Sequence, residues 1–151
     1  MTPLDEIDLA IVKELQKNGR SSNREVARVL GVSEGTIRQR LKKLESAKAM
    51  RLGLVTDAIS LGQTSAAFVR IKATPREAQS IARKIAAFPD CAFCALTVGR
   101  FDIVALFNAN SRQDLADVID NEIAVMEGVI LLDVREPVDY TKHRYDLCHI
   151  P

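Results

Sequence analysis

Tryptophan is absent from this chain of 151 residues, tyrosine and phenylalanine are few, and only three cysteines occur. Few aromatics beside a hydrophobic fraction of 47% fit an ordinary soluble globular protein. An odd number of cysteines cannot close a disulfide framework. Cys91 and Cys94 lie in CAFCALTV, an apolar strand by its pattern, and read as small core residues. A zinc site would need a second ligand pair, which only His143, Cys148 and His149 near the C-terminus could supply. Also missing is any apolar run near the roughly 20 residues that cross a bilayer. The opening MTPLDEIDL is acidic where a secretory signal is basic and then apolar. The expectation is a cytoplasmic protein with no membrane contact.

Charge is present but unevenly placed. The net value is +1, yet residues 1–52 hold 11 Lys/Arg against 7 Asp/Glu, and the remainder 10 against 13. A basic module joined to a mildly acidic one confines any nucleic-acid contact to the N-terminal part.

Leu4, Ile7, Ile11 and Leu15 recur at helical spacing, with Asp5 to cap and Asn18-Gly19 to stop the helix. Ser22-Asn23-Arg24-Glu25 is a capping box opening a short second helix with Val26, Ala27 and Leu30 inward, and Gly31 ends it. Ser33 then begins a third helix whose Ile37, Leu41 and Leu44 share one stripe. The short break between Leu30 and Glu34, containing Gly31, gives the spacing of a helix-turn-helix. With that stripe inward, Glu34, Gly35, Arg38, Gln39, Lys42 and Lys43 line the opposite side and Thr36 and Arg40 flank it. A basic helix standing alone is more often a solvated face than a reader of DNA. Its place as the second helix of a helix-turn-helix reverses that preference, because there its first residues meet base edges and its cations meet phosphates.

Near Gly53 the pattern changes from period 3.6 to period 2, which places a boundary in Met50 to Leu61. Met50 to Val55 reads as a short linking strand. Ser65 to Ala73 is the next strand, and Thr74-Pro75-Arg76-Glu77 opens a helix with Ala78, Ile81, Ala82 and Ile85 on its apolar face. Phe88-Pro89-Asp90 ends that helix, and strand Cys91 to Val98 follows. Gly99-Arg100 predicts a tight turn into strand Phe101 to Ala109. Ser111 caps a helix bearing Leu115, Val118, Ile119 and Ile123, and Gly128 to Val134 is the last strand. The order β-α-β-β-α-β is the ferredoxin-like arrangement, an α+β fold with two helices on one sheet face. Phe101 to Phe107 is nevertheless apolar at both alternating sets of positions, as is GVILLDV. Half-solvated antiparallel strands alternate. The second face therefore predicts a homodimer packed through the sheets.

Taken together, LDEIDLAIVKELQKNGRSS, REVARVLGVSEGTIRQRLKKLE, VGRFDI and MEGVILLD resemble, in order and spacing, the Lrp/AsnC (leucine-responsive, feast/famine) regulators over nearly the whole chain. The resemblance implies a winged or extended helix-turn-helix in residues 1–50, a linker with a short strand in 51–64, a ferredoxin-like effector and oligomerisation domain in 65–136 and a tail in 137–151. It implies a transcriptional regulator, not an enzyme, that binds double-stranded DNA. Dimers assembling into tetramers or octamers, and control by a small amino acid without other cofactor, follow from the same likeness. Ser33, Thr36, Arg38 and Arg40 match the recognition-helix pattern, with Glu34, Gly35, Gln39, Lys42 and Lys43 beside them as DNA contacts. For Arg40 an ion pair with Glu25 or Glu45 is the rival role. Gly99, Arg100, Phe101 and Asp102 match the Gly-x-x-Asp hairpin near which the family binds its effector between subunits. Asp102 needs a partner, either a ligand ammonium or backbone amides of a neighbouring loop.

The family commonly has a glycine after the recognition helix where this chain has Ser46-Ala47-Lys48-Ala49-Met50, so the exit of that helix departs from the pattern. The final segment, EPVDYTKHRYDLCHIP, is longer and more polar than expected, a free tail or a strap on a partner. Two other readings remain open: an amino-acid sensor acting through protein partners, and an enzyme like the tetrapyrrole decarboxylases related to the family. The second has no nucleophile and base pairing to support it.

Overall fold

The computed structural model describes residues 3–142, so His143, Cys148 and His149 lie outside the described residues. The chain divides between Val55 and Thr56 into two compact units.

The N-terminal unit holds α1 (Glu6–Lys17), α2 (Asn23–Leu30) and α3 (Glu34–Ser46). Each helix starts where a short polar side chain can take an orphan backbone N–H. Asp5 accepts from Asp8, Ser22 from Glu25 and Ser33 from Thr36. In the first two the N3 carboxylate returns the bond and closes a capping box. Gly31, at φ +68°, ends α2 in the left-handed conformation that leaves room for the sharp turn into α3. Ile11, Leu15, Val26, Ala27, Ile37 and Leu44 form the core, with Leu4, Leu30 and Leu41 packed partly buried against it.

Ile7 departs from the expected pattern, being 36% exposed, while Asp8 is fully buried. At about 100° per residue Asp8 lies about 40° from the Leu4–Ile11–Leu15 line and Ile7 about 60° away on the other side. The inward place went to the carboxylate because α3 supplies cations to meet it.

The exit of α3 explains the missing glycine. The Lys48 N–H donates to the Glu45 carbonyl (3.0 Å) and the Ala49 N–H to the Leu44 carbonyl (2.9 Å), the paired bonds of a Schellman motif, and Lys48 takes φ +53° between them. A lysine held in the left-handed region is strained by its Cβ. Lys48→Gly is therefore expected to stabilise the N-terminal unit by about 1 kcal/mol, after discounting the extra entropy glycine loses. A urea midpoint that fails to rise at constant m would contradict this.

The linking strand expected over Met50 to Val55 is not formed. The stretch is irregular, and Leu54 is 86% exposed. A strand needs a neighbour for its N–H and C=O groups, and no described strand pairs with this one.

The C-terminal unit runs β1 (Ser65–Ala73), α4 (Ala78–Ala86), β2 (Cys91–Leu96), β3 (Ile103–Ala109), α5 (Arg112–Val118) and β4 (Val129–Arg135). A π-helical turn, Ile119–Ile123, continues α5. The sheet order is β2-β3-β1-β4 with every pair antiparallel, the ferredoxin-like topology. Alternate residues of the two central strands, Ala67, Val69, Ile71 and Ala73 with Ile103, Ala105, Phe107 and Ala109, are buried with Ile81, Ile85, Leu115, Ile119 and Ile123. The thiols of Cys91 and Cys94 are partly buried against this core. Burial pushes the Cys94 thiol up to about 11, which makes it a poor nucleophile.

Two boundaries differ from expectation. The helix predicted from Thr74 begins at Ala78, after a turn in which the Glu77 and Ala78 N–H groups both reach the Thr74 carbonyl. That corner is fixed from a distance. The Thr74 N–H donates to the Gly128 carbonyl at 2.8 Å, and a Cβ on Gly128 would stand 2.6 Å from the Glu77 Cβ. The hairpin predicted as a two-residue turn at Gly99-Arg100 is wider, and β3 starts at Ile103. The Thr97 N–H donates to the Asp102 carbonyl (2.8 Å) and the Thr97 hydroxyl to the Phe101 carbonyl (2.8 Å), enclosing residues 98–101.

Candidate nucleic-acid interface and effector hairpin

On α3 the buried stripe orients everything else. Ile37 and Leu44 are completely buried and Leu41 partly so, which turns Glu34, Gly35, Arg38, Gln39, Lys42 and Lys43 outward. At the start of the helix the Ser33 hydroxyl accepts from the Thr36 N–H (3.1 Å) and lies 2.8 Å from the Thr36 hydroxyl, fixing both side chains. Arg38 meets Glu34 one turn back at 2.9 Å, an exposed pair that costs little to open. Gln39 and Lys42 stand at the centre of the exposed face.

Arg40 and Lys43 are placed differently. The Arg40 Nη1 donates to the Asp8 carboxylate at 3.0 Å and also to Asp5, and the Lys43 Nζ donates to the other Asp8 oxygen at 3.0 Å. Arg40 therefore makes an ion pair, but with Asp5 and Asp8 of α1 and not with Glu25 or Glu45. Burial alone would raise the Asp8 carboxyl, but the hydrogen bonds from Lys43 and Arg40 outweigh it and hold the group below the ordinary carboxylate range. The Arg40 hydrogen bond likewise holds Asp5 down. Sequence reasoning missed Asp8. Its signal was the 4-8-11-15 row, a helical stripe with one carboxylate, which matters only once α3 brings two cations to it.

In the hairpin, Gly99 has φ +149°, outside the range L side chains favour. The Arg100 guanidinium lies 5.5 Å from the Phe101 ring centre, and Arg70 of β1 lies 5.0 Å from the same ring. The Asp102 carboxylate accepts from the Ala73 backbone N–H (2.9 Å) and from the Lys72 ammonium (3.0 Å). These partners, the amide first, depress its pKa. The amide that Asp102 meets belongs to Ala73 at the end of β1 and not to a neighbouring loop, so this carboxylate braces the hairpin against that strand.

Beyond the helices, the open sheet face carries Phe68, Phe93, Leu106, Val104 and Leu131. Phe93 is 52% exposed. Arg70 and Asp133 pair beside this apolar patch. Among the described residues no group of three or more His, Cys, Asp or Glu could hold a metal ion, and no helix is long and apolar enough to cross a membrane.

The family model of the AsnC-type helix-turn-helix domain matches residues 4–45, and that of the Lrp/AsnC ligand binding domain matches residues 66–133. The HTH-type transcriptional regulator FL11 of Pyrococcus horikoshii is 31% identical over 119 residues, covering 78% of this chain and 79% of that protein. LrpA of Pyrococcus abyssi is 31% identical over 128 residues, covering 83% and 90%. Among solved structures, Escherichia coli AsnC aligns with a TM-score of 0.84 at 22% identity, covering 94% of this chain and 97% of that one. A Neisseria meningitidis transcriptional regulator in complex with L-Met gives the same TM-score, 0.84, at 22% identity, covering 97% of each. The two matched domains together span most of the sequence in the order the fold presents them, and the chain belongs to the Lrp/AsnC family of helix-turn-helix transcriptional regulators.

Proposed function

We propose that the chain acts as a symmetric dimer whose two α3 helices enter successive major grooves, reading an imperfect palindrome with half-sites about one helical turn, or a multiple, apart. The observation that carries this is the burial of Ile37 and Leu44, which leaves Arg38, Gln39 and Lys42 in solvent on the opposite side. Ser33, Glu34, Gly35 and Thr36 occupy the first turn, where a recognition helix meets base edges. Arg40, which matches the family's recognition-helix pattern, and Lys43, expected beside it as a further DNA contact, enter this reading as residues turned toward α1. On this division residues 1–50 read DNA, 51–64 connect, and 65–136 bind effector and partner subunits. Arg38→Ala or Gln39→Ala is expected to relax sequence preference. Lys42→Ala is expected to weaken all duplexes alike and flatten the salt dependence by about one unit of slope for the phosphate it no longer neutralises. Operator titrations that leave all three variants indistinguishable from the parent would remove α3 as the reader.

Dimerisation in this reading uses the open sheet face. A patch of several hundred Å² at about 25 cal/mol per Å² contributes many kcal/mol, far more than a surface ion pair. Further assembly to tetramers or octamers follows the family habit.

The effector in this reading is a small amino acid held between subunits at the Gly99–Asp102 hairpin. Support comes from the ligand-binding family model and from the L-Met complex of the Neisseria regulator. Gly99 and Arg100 offer an amide and a cation to a carboxylate, while Asp102, already engaged by Ala73 and Lys72, keeps the hairpin in shape. A coupling of about 1–3 kcal/mol between ligand and assembly is enough to change the spacing of the reading heads. A thermal-shift screen of the twenty amino acids is expected to raise the melting temperature of the C-terminal unit with at least one of them. Flat melts throughout would make this an effector-independent regulator.

A further inference from the structure

Resting on the DNA-reading role of α3, we infer that Asp8, with Asp5, is a positioning residue that withholds Arg40 and Lys43 from DNA phosphates and so limits sequence-independent binding.

Four cations lie on α3, and they are not equivalent. Taking the buried stripe as reference, about 100° per residue puts Gln39 and Lys42 opposite it, Lys43 to one side, and Arg40 almost back against the α1 interface. Arg40 and Lys43 are three residues apart, so one group on the facing helix can take both. Asp8 is that group. Its carboxylate is completely buried, and its two oxygens each accept a charge-assisted bond, one from each cation at 3.0 Å. Asp5, on the rim of the same contact, takes a second bond from Arg40. Arg40 is only partly exposed and Lys43 about half, and both have stems long enough to swing toward solvent if released.

A phosphate cannot readily compete for them. Drawing both cations to a duplex would leave a charged, buried carboxylate with only the Asp5 backbone N–H as donor, an unfavourable place for one. Arg38 has no such tie, because its partner Glu34 is itself exposed. The acids of α1 thus divide the cations of α3 into a free set facing the groove and a sequestered set. Each withheld cation removes about 0.9 from the slope of log affinity against log salt. Less of the binding is then the sequence-independent kind.

The test measures that slope for the intact protein on a fluorescein-labelled mixed-sequence duplex, in the parent and in Asp8→Asn, Arg40→Gln and Lys43→Gln. Asp8→Asn is expected to steepen the slope by about 0.9 per subunit, for the Lys43 it releases while Asp5 still holds Arg40, and to tighten binding at low salt. Arg40→Gln and Lys43→Gln are expected to leave the slope unchanged. A residue that only stabilised the fold would, when replaced, weaken binding without steepening anything. Flattening by about 0.9 in either glutamine variant would place those cations on phosphate already and overturn the inference. A folded Asp8→Asn protein with the parental slope would overturn it equally, and if that variant does not fold the two glutamine variants decide. A parent protein with no salt-dependent binding would instead overturn the DNA-reading role itself, and this inference with it.

Discussion

Replacing Asp8 with alanine is expected to destabilise the N-terminal unit by about 3 kcal/mol, the lower end for breaking a buried ion pair, because Asp5 remains to hold Arg40 and Lys43 can turn to solvent. The same substitution removes a pH dependence. The Asp8 carboxyl titrates lower in the folded chain than in the unfolded one, so its contribution is complete above the unfolded value near 4 and is lost as pH falls through the folded value. Asp5 shifts in the same direction and adds to the effect. Circular dichroism melts of the parent should therefore drop steeply below about pH 4, and those of Asp8→Ala should start lower and depend less on acid. Equal melting temperatures at pH 7, or parallel acid profiles, would show that the α1–α3 bridge contributes little.

Leu106→Glu is expected to weaken the dimer by about 10⁴-fold, or about 5.5 kcal/mol, while each subunit stays folded. Leu106 lies on the open face opposite Phe68 and Phe93, clear of the helix-covered core. In the proposed dimer a carboxylate there, solvated in a lone subunit, would be buried in the sheet-to-sheet contact, and two-fold symmetry would place it there twice. Light scattering at micromolar concentration should find the parent at dimer mass or above and the variant at the 16.7 kDa of one chain. A parent already monomeric, or a variant still paired, would put the interface elsewhere.

What was readable in the sequence is what neighbours along the chain decide. Asp5, Ser22, Ser33 and Ser111 cap because the N–H they satisfy is three residues on, and Gly31 ends α2 by its own backbone freedom. Strand β1 was legible because Ala67, Val69, Ile71 and Ala73 recur at period 2. What was not readable depends on distant partners. The corner at Thr74 is set by Gly128, and the inward turn of Asp8 by Arg40 and Lys43, 32 and 35 residues away. Met50 to Val55 has the pattern of a strand but lacks the neighbour that would make it one. The exposed face of α3 followed from Ile37, Leu41 and Leu44 alone, but the division of its cations did not, since all four look alike until α1 is packed beside them.

The π-helical turn after α5 has its own effect on length. Leu115, Ile119 and Ile123 are spaced four apart, a step that in a regular α-helix walks about 40° round the axis each time, so the third would leave the sheet. The wider turn, closed by the Ala124 N–H on the Ile119 carbonyl at 2.8 Å, takes up that drift, and all three stay buried. The number of residues between Val118 and Ala124 thus keeps this helix in phase with the sheet, and a single deletion there would rotate Ile123 toward water without changing any side chain's hydrophobicity.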